Sequence, residues 1–197
     1  MRSDSYRADV GPPDLFDVIG ALQFNVLTSN GLREHHKLLD IGCGCLRGGK
    51  LFIMYLKKHN YFGVEPNVAL LNAGINEELS MGMGTFKEPS FNHSGNFDFD
   101  VFGTKFDFIL AQSILSHTDK QQLKTCLRNV AKVLSGKFIF TYFKGTKDYN
   151  GSGWTRVPSA TYTETFIHNQ LSSVGLTYKQ LNEKHPAGQI WVIATRS

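Results

Sequence analysis

Apolar residues along the chain form two patterns. In some segments they are continuous over a short run, and in others they recur every three or four residues. The continuous runs predict β-strands, and the helical repeats predict amphipathic helices between them. We expect strands over 36–42, 61–66, a short stretch within 85–93, 106–113, 137–143, 177–183 and 189–195. We expect helices over 47–58, from Asn67 or Ala69 to about Ser80, from Thr118 to Gly136, and from Thr161 to Gly175. This alternation of strands and helices is typical of an α/β protein.

Two of these helices carry sequence signals at their first residues. Thr118 with Gln121, and Thr161 with Glu164, have the spacing of a capping box, in which each side chain bonds a backbone N–H group of the first turn. We therefore expect the helices to begin at these threonines, and the first of them to stop at Gly136.

The N-terminal segment precedes the first predicted strand. Residues 1–13 are polar and end in Gly11-Pro12-Pro13, so we expect an irregular arm. A helix follows from Asp14, and Asn30-Gly31 ends it. This segment either packs across the edge of the sheet or covers a ligand site with Tyr6 and Arg7. We therefore divide the chain into 1–34, an arm and helix that form a candidate lid, and one domain over 35–197.

Composition narrows the class of protein. With 197 residues, 41% apolar, and a net charge of +4, the chain fits one globular domain. The basic residues are spread out, so we expect no nucleic-acid partner. Cys43, Cys45 and Cys126 lack the spacing of a disulfide framework, and no second Cys pair completes a metal site. No signal region or membrane-length apolar run is present, so we expect a cytoplasmic protein without a membrane partner.

The first predicted strand runs into a glycine turn. Gly42 and Gly44 interrupt the apolar run just after Asp40, and helical character resumes beyond Arg47. Glycine permits a tight turn and a close approach of the backbone to a ligand. A strand, a glycine turn and a helix form the first half of a nucleotide-binding unit.

The second predicted strand ends at an acid, with Pro66 directly after it. Glu65 follows Gly44 by 21 residues, close to the spacing at which a nucleotide-binding fold places a carboxylate on the ribose hydroxyls. Such a carboxylate accepts hydrogen bonds from both vicinal hydroxyls and repels a 2′-phosphate. The alternative is an ordinary solvated glutamate at the end of a strand.

The charge at position 40 favours one ligand class over another. A carboxylate beside a dinucleotide pyrophosphate is repulsive, whereas a carboxylate beside an ammonium group is favourable. The third glycine, Gly48, is also one residue late for a dinucleotide fingerprint. The segment around Asp40, Gly42 and Gly44 resembles the first motif of the class I S-adenosylmethionine-dependent methyltransferases. The resemblance extends over about residues 35–195.

The resemblance implies a single doubly wound Rossmann-like sheet, mostly parallel, with an antiparallel last strand. It also implies S-adenosyl-L-methionine as cofactor. Asp40, Gly42, Cys43 and Gly44 would then hold its methionine end, and Glu65 with Pro66 its ribose. Arg47 would meet its carboxylate or remain a solvated residue of the first helical turn. In this family a Gly-Asp-x turn grips adenine, and here that turn reads Gly95-Asn96-Phe97, with Asp98 and Asp100 as competing candidates.

The fourth predicted strand resembles the strand of this family that ends beside the reacting methyl group. It ends in Gln112-Ser113, which would line the floor there. His117 is either the candidate base or a residue that caps or packs against the start of the next helix. The Asn/Asp-Pro-Pro-Tyr segment of enzymes that methylate nucleic-acid amines is absent, and none of the cysteines follows a proline. By exclusion we expect O-methylation of a sugar or similar metabolite. A non-catalytic binding protein of the same fold and a nicotinamide-dependent oxidoreductase are the alternatives.

Overall fold

The computed structural model describes residues 5–156 and 159–197, and these residues form two compact units, one up to Gly95 and one from Asn96 onward. The predicted arm over 1–13 includes residues outside the described ranges. The segment 144–158, whose glycine, asparagine and serine content predicts a loop, also includes such residues. Each unit contains strands and helices, and the two units are described in turn.

The first unit contains three parallel strands and five α-helices. The strands are β1 (Leu38–Ile41), β2 (Tyr61–Val64) and β3 (Ser90–Asn92), in the spatial order β3-β2-β1. The helices are α1 (Ser5–Ala8), α2 (Phe16–Ser29), α3 (Gly49–Tyr55), α4 (Val68–Glu78) and α5 (Met83–Lys87). All residues of β1 and β2 are buried. Continuous apolar runs are expected for parallel strands covered on both faces.

The first unit departs from the expected pattern in two short helices. The arm contains one helical turn, α1, where we expected irregular chain. A 3₁₀ turn at Pro13–Leu15 follows, and α2 begins at Phe16 rather than at Asp14. Pro13 occupies the first position of this 3₁₀ turn, where its missing N–H group has no bond to lose. Helix α5 was not expected, because its five residues carry no amphipathic repeat.

The second unit contains the remaining strands and two α-helices. The strands are β4 (Phe106–Ala111), β5 (Leu134–Lys144), β6 (Thr161–Tyr162), β7 (Lys179–Gln180) and β8 (Ile190–Thr195). The helices are α6 (Lys120–Val133) and α7 (Glu164–Ser172). The spatial order is β4-β5-β8-β7, and β6 pairs with the C-terminal end of β5. Strands β4, β5 and β6 are parallel, whereas β8 is antiparallel to both β5 and β7. The predicted antiparallel last strand is therefore confirmed.

The predicted helix starts were wrong by one or two residues. The capping box of α6 is formed by Asp119 and Gln122, not by Thr118 and Gln121. The Thr118 hydroxyl instead donates to the carbonyl of Leu115 over 3.1 Å. The cap of α7 is Thr163, because Thr161 already belongs to strand β6.

Gly136 has a different role from the predicted one. Helix α6 ends at Val133 and β5 begins at once, so Gly136 lies inside a strand. A Cβ atom there would lie 2.2 Å from the carbonyl oxygen of Asp107. The glycine therefore permits a close approach of β5 to the start of β4.

Some classes of feature are absent from the part of the chain that the structure describes. No helix within residues 5–156 and 159–197 combines the length and apolar character needed to cross a membrane. The same residues contain no cluster of three His, Cys, Asp or Glu side chains arranged to hold a metal ion. Cys43, Cys45 and Cys126 are buried free thiols.

Candidate functional site

The glycine turn follows β1 and is fixed by backbone hydrogen bonds. Gly42 and Gly44 have positive φ angles of 69° and 55°, a region in which glycine is favoured. The N–H groups of Gly42 and Cys43 both donate to the carbonyl of Val64, at 2.8 and 3.1 Å. The turn is thereby held against the carboxyl end of β2, where ligands bind in nucleotide-binding folds.

Glu65 is joined to this turn by a hydrogen bond. One carboxylate oxygen accepts the N–H group of Gly44 at 3.0 Å, and the other accepts that of Asn67 at 2.8 Å. Burial raises the pKa of Glu65, and the two hydrogen bonds oppose that rise. A carboxylate has about four lone-pair sites, so two remain for further donors. Pro66 follows it and is exposed.

Asp40 is buried at the end of β1, with only 5% of its surface exposed. The hydroxyl of Tyr61 donates to its carboxylate over 2.8 Å. Burial raises the pKa of Asp40 to about 6, while the Tyr61 hydrogen bond and the charge of Arg47 act in the opposite direction. Sequence reasoning missed Tyr61, because a tyrosine at the start of an apolar strand gives no signal of its hydroxyl partner.

Arg47 is buried with 7% exposure, so its reading as a solvated residue is wrong. Its guanidinium donates to the carbonyl of Val10 over 2.6 Å, and burial lowers its pKa to about 10. Val10 also covers the glycine turn, since a Cβ atom on Gly44 would lie 2.8 Å from the Val10 side chain. The N-terminal arm therefore contacts the turn directly.

A network of charged side chains fastens the arm to the first unit. The carboxylate of Glu78 accepts bonds from the Tyr6 hydroxyl at 2.6 Å, the Arg7 guanidinium at 2.7 Å and the Lys50 ammonium at 2.8 Å. Lys50 also pairs with Asp17 at 2.7 Å. The side chain of Glu78 is only 3% exposed, and these donors keep its pKa below the ordinary value despite its burial.

The predicted adenine residues begin the second unit. Asn96 is exposed, and its amide oxygen accepts the N–H group of Asp98 at 3.3 Å. Phe97 has a positive φ of 60° and is buried, with its ring centroid 6.3 Å from that of Phe99. The carbonyl of Phe97 accepts a bond from Asn129 of α6 at 2.9 Å.

Gln112 and Ser113 belong to a polar group, which we call the β4-end cluster, in which Ser113 is partly exposed and the other members are buried. Its members come from the end of β4, from β5 and from the β7–β8 hairpin: Gln112, Ser113, Thr141, His185 and Gln189. The Gln112 amide lies 2.8 Å from the Ser113 hydroxyl and 2.9 Å from Nε2 of His185. Gln189 also donates to the Ser113 hydroxyl.

The structure adds three members to this cluster that sequence reasoning missed. Thr141 lies in β5, and its hydroxyl accepts the N–H group of Ser113 at 2.7 Å, which supports the positive φ of 57° at that residue. His185 and Gln189 are buried. The late hairpin was predicted, but no sequence pattern indicates the register that brings these side chains to Gln112.

His117 lies beyond the end of β4 and contacts the loop that leaves β5. Its Nδ1 atom is 2.7 Å from the carbonyl of Thr155, and its ring stacks on Trp154 with centroids 5.3 Å apart. Because a carbonyl only accepts, Nδ1 carries the proton and Nε2 has a free lone pair. Burial lowers the pKa of His117, so the ring is neutral near pH 7.

No protein-family profile matches the chain, and no curated protein matches it in sequence. Solved structures do match its fold. Magnesium protoporphyrin IX methyltransferase (ChlM) of Synechocystis PCC 6803 is 14% identical with a TM-score of 0.68, covering 100% of this chain and 85% of its own. An S-adenosylmethionine-dependent methyltransferase of Clostridium acetobutylicum is 15% identical with a TM-score of 0.67, covering 90% of both chains.

The glycopeptide N-methyltransferase MtfA is 11% identical with a TM-score of 0.69 and likewise covers 90% of both chains. At identities this low the likeness concerns the fold and not the substrate. Parallel strands with an antiparallel last strand are the shared architecture. The chain therefore has the Rossmann-like fold of the S-adenosylmethionine-dependent methyltransferases.

Proposed function

We propose that this protein is an S-adenosylmethionine-dependent methyltransferase that methylates a hydroxyl group of a sugar or similar small molecule. The observation that carries the proposal is the hydrogen bond between Gly44 and Glu65, which joins the glycine turn to an acid at the end of β2. The structure of ChlM with bound S-adenosylmethionine supports the choice of cofactor, because it shares this fold.

The first unit offers groups that suit the two polar ends of the cofactor. The two remaining lone-pair sites of Glu65 suit the vicinal hydroxyls of a ribose, and Pro66 lies beside them. Asp40 carries a negative charge that favours the α-ammonium group, across the turn formed by Gly42, Cys43 and Gly44. We assign adenine contacts to Asn96 and Phe97 on the family resemblance.

The N-terminal arm is a lid in this proposal. Arg47 is the cation for the carboxylate of the cofactor, and its guanidinium already holds the Val10 carbonyl. Val10 also covers Gly44, where the backbone would approach the ligand. The bonds from Tyr6 and Arg7 to Glu78 fasten this lid to the body of the first unit.

Catalysis needs alignment and a proton acceptor more than it needs a protein nucleophile. Bound S-adenosylmethionine supplies a methyl group that a sulfonium already activates. Gln112 and Ser113 would line the floor beside this group. The neutral His117 would take the hydroxyl proton on Nε2, since its Nδ1–H group is held by Thr155. Alignment of the reactants lowers such barriers by roughly 7–11 kcal/mol in favourable cases.

Calorimetric titration with S-adenosylmethionine, S-adenosylhomocysteine and NAD tests the cofactor. We expect the first two to bind and NAD not to bind. Glu65→Gln should lower the affinity for S-adenosylhomocysteine about tenfold, because a neutral amide accepts hydrogen bonds from hydroxyl groups less strongly than a carboxylate does. Glu77→Gln, at an exposed position of α4, is the control and should leave the affinity for S-adenosylhomocysteine unchanged. Binding of NAD without binding of S-adenosylhomocysteine would overturn the proposal.

Turnover separates an enzyme from a binding protein. Cofactor with a labelled methyl group is incubated with pools of sugars and other small alcohols, and the label is followed into product. We expect label in an alcohol fraction and its loss in His117→Ala. Cofactor binding without label in any pool would instead identify a non-catalytic S-adenosylmethionine-binding protein.

A further inference from the structure

The turn between β7 and β8 lies at the edge of the second unit where the candidate site residues are found. Strand β8 is antiparallel to both β5 and β7, so β7 runs parallel to β5 and ends at the same edge. The exposed residues 186–188 form the outside of this turn, whereas His185 and Gln189 point inward and are buried. Two polar side chains are thus enclosed directly beneath an exposed turn.

The hydrogen bonds of His185 fix the position of its proton. The N–H group of Ala187 donates to Nδ1 at 3.1 Å, so the neutral ring carries its proton on Nε2. Nε2 lies 2.9 Å from the amide of Gln112. Only the oxygen of that amide can accept the proton, so the Gln112 amide is oriented with its oxygen toward His185.

This orientation fixes the remaining bonds of the cluster. The structure places the Gln112 side-chain nitrogen 2.8 Å from the Ser113 hydroxyl. With the amide turned over, as the His185 proton requires, its oxygen occupies this place and the Ser113 hydroxyl donates to it. The same hydroxyl oxygen therefore accepts the bond from Gln189, whose nitrogen faces it. Ser113 then has no proton left for a ligand and retains one lone pair.

The side-chain oxygen of Gln189 is the unusual atom of the cluster. It is enclosed, the residue is 6% exposed, and the oxygen has no hydrogen-bond partner among residues 5–156 and 159–197. Buried polar atoms in folded proteins are nearly always paired. The indole N–H group of Trp191, two residues further along the hairpin, is likewise buried without a partner in those ranges.

We propose that the Gln189 oxygen, together with the free lone pair of Ser113, accepts hydrogen bonds from the O–H or N–H group of the methyl acceptor, a role that rests on the proposed function. His185 is a positioning residue, because it orients Gln112 and thereby the Ser113 proton. Both ligand-facing atoms are acceptors. The cluster therefore selects a substrate group that carries a proton and disfavours an ether, a carbonyl or a carboxylate.

A matched pair of probes tests this selection. 1,2-Ethanediol and 1,2-dimethoxyethane share a skeleton, but only the diol carries O–H donors. Each is titrated into ¹⁵N-labelled protein while the side-chain amide signal of Gln189 and the indole signal of Trp191 are followed. We expect a saturable shift with the diol, half-complete at a concentration at least about tenfold lower than with the diether. This corresponds to a difference of about 1.4 kcal/mol in binding free energy.

Two variants control the measurement. Gln189→Met removes the acceptor and should abolish the saturable response at Trp191. Gln180→Met changes an exposed glutamine of β7 and should leave the response intact. Equal responses to both probes, or no response to the diol, would contradict the proposal.

The test does not depend on the cofactor. The titrations are run on the free protein and on protein with added S-adenosylhomocysteine. Failure of S-adenosylhomocysteine to bind counts against the proposed function, while the diol and diether still decide the role of Gln189. Long-range ¹H–¹⁵N spectra of His185 give an independent measure. A proton on Nδ1 in place of Nε2 would refute the orientation assigned to Gln112.

Discussion

The glycine turn and the β4-end cluster are both buried polar sites, but they are built in different ways. In the turn the partners are close in sequence, since Gly44 and Glu65 are 21 residues apart and backbone groups make the bonds. In the cluster, Gln112 meets His185 across 73 residues, and side chains make nearly every bond. A motif can reveal the first kind of site, whereas only the packed hairpin reveals the second.

The two sites also differ in charge. The turn and the arm around it contain buried ionisable groups, with Asp40, Arg47 and Glu78 nearly excluded from solvent. The cluster contains neutral amides and hydroxyls with one histidine. We therefore expect the first site to respond to pH and charge substitution, and the second to respond to the loss of single hydrogen bonds.

The largest expected effect comes from the packing of α4 against the glycine turn. A Cβ atom on Gly74 would lie 2.4 Å from both the backbone carbon and oxygen of Cys45. Gly74→Ala should lower the free energy of unfolding by about 3 kcal/mol, because backbone atoms cannot turn aside as a side chain can. Denaturant titration followed by circular dichroism measures the change.

Gly84 in α5 provides the matched control. No atom lies within 4 Å of a Cβ atom built there, so Gly84→Ala should be neutral or raise the free energy of unfolding by up to about 1 kcal/mol through helix propensity. Equal stability of the two variants would mean that the backbone of the glycine turn moves to accommodate the added methyl group. The turn would then not be the rigid site described above.

The charged network of the arm gives the next largest effect. Glu78→Gln removes the negative charge that Arg7 and Lys50 share, and it leaves those cations near one another in a partly buried place. We expect a loss of about 2 kcal/mol in the free energy of unfolding and faster proteolysis of the arm. Thermal unfolding and limited trypsin digestion measure the two effects.

Glu77→Gln, one residue earlier and exposed, is the control for this substitution. It should leave digestion of the arm unchanged, because Tyr6, Arg7 and Lys50 keep their bonds to Glu78. Glu78→Gln could lower the stability of the protein without faster trypsin digestion of the arm. That result would mean that the network stabilises α4 and that other contacts hold the lid in place.

Much of the fold follows from the sequence because its signals are local. The runs that become β1, β2 and β4 are continuous and apolar, and parallel strands buried on both faces require such runs. The spacing of Gly44 and Glu65 is local in the same sense. It predicted a carboxylate for the ribose, and the structure shows Glu65 bonded to the N–H group of Gly44.

The errors arise where tertiary contacts choose between equivalent local signals. Both Thr118 and Asp119 can cap α6, and Asp119 is used because its second oxygen also holds the N–H group of Gly153 in the loop after β5. Gly136 matched a helix stop but accommodates Asp107 of β4. No sequence motif marks His185, because its partner Gln112 follows β4 and is 73 residues away along the chain.

Titration of Asp40 should distinguish the first site from the second. Its pKa is about 6, and the ionised form favours an ammonium ligand, so affinity for S-adenosylhomocysteine should fall as the pH drops through 6. Between pH 7.5 and pH 5 the ionised fraction falls about tenfold, and affinity should follow it. Calorimetry at the two values measures this.

Asp40→Asn should remove most of the pH dependence of this affinity. Burial also raises the pKa of Glu65, so we expect titration of Glu65 to leave a smaller dependence. Asp14→Asn, at an exposed position of the 3₁₀ turn before α2, is the control and should titrate like the parent protein. Affinity that is independent of pH in the parent would show that Asp40 does not meet the ammonium group.

The smallest effect is expected at the backbone of the β4-end cluster, and it decides whether Ser113 is held by a side chain. Thr141→Val keeps the shape of the residue but removes the oxygen that accepts the Ser113 N–H group at 2.7 Å. We expect a loss of about 1 kcal/mol in the free energy of unfolding, because the Ser113 N–H group is left without its acceptor. Thr165→Val, at an exposed position of α7, controls for the lost hydroxyl itself. If the two variants unfold alike, the positive φ of Ser113 does not depend on Thr141, and the cluster is held by the hairpin side chains instead.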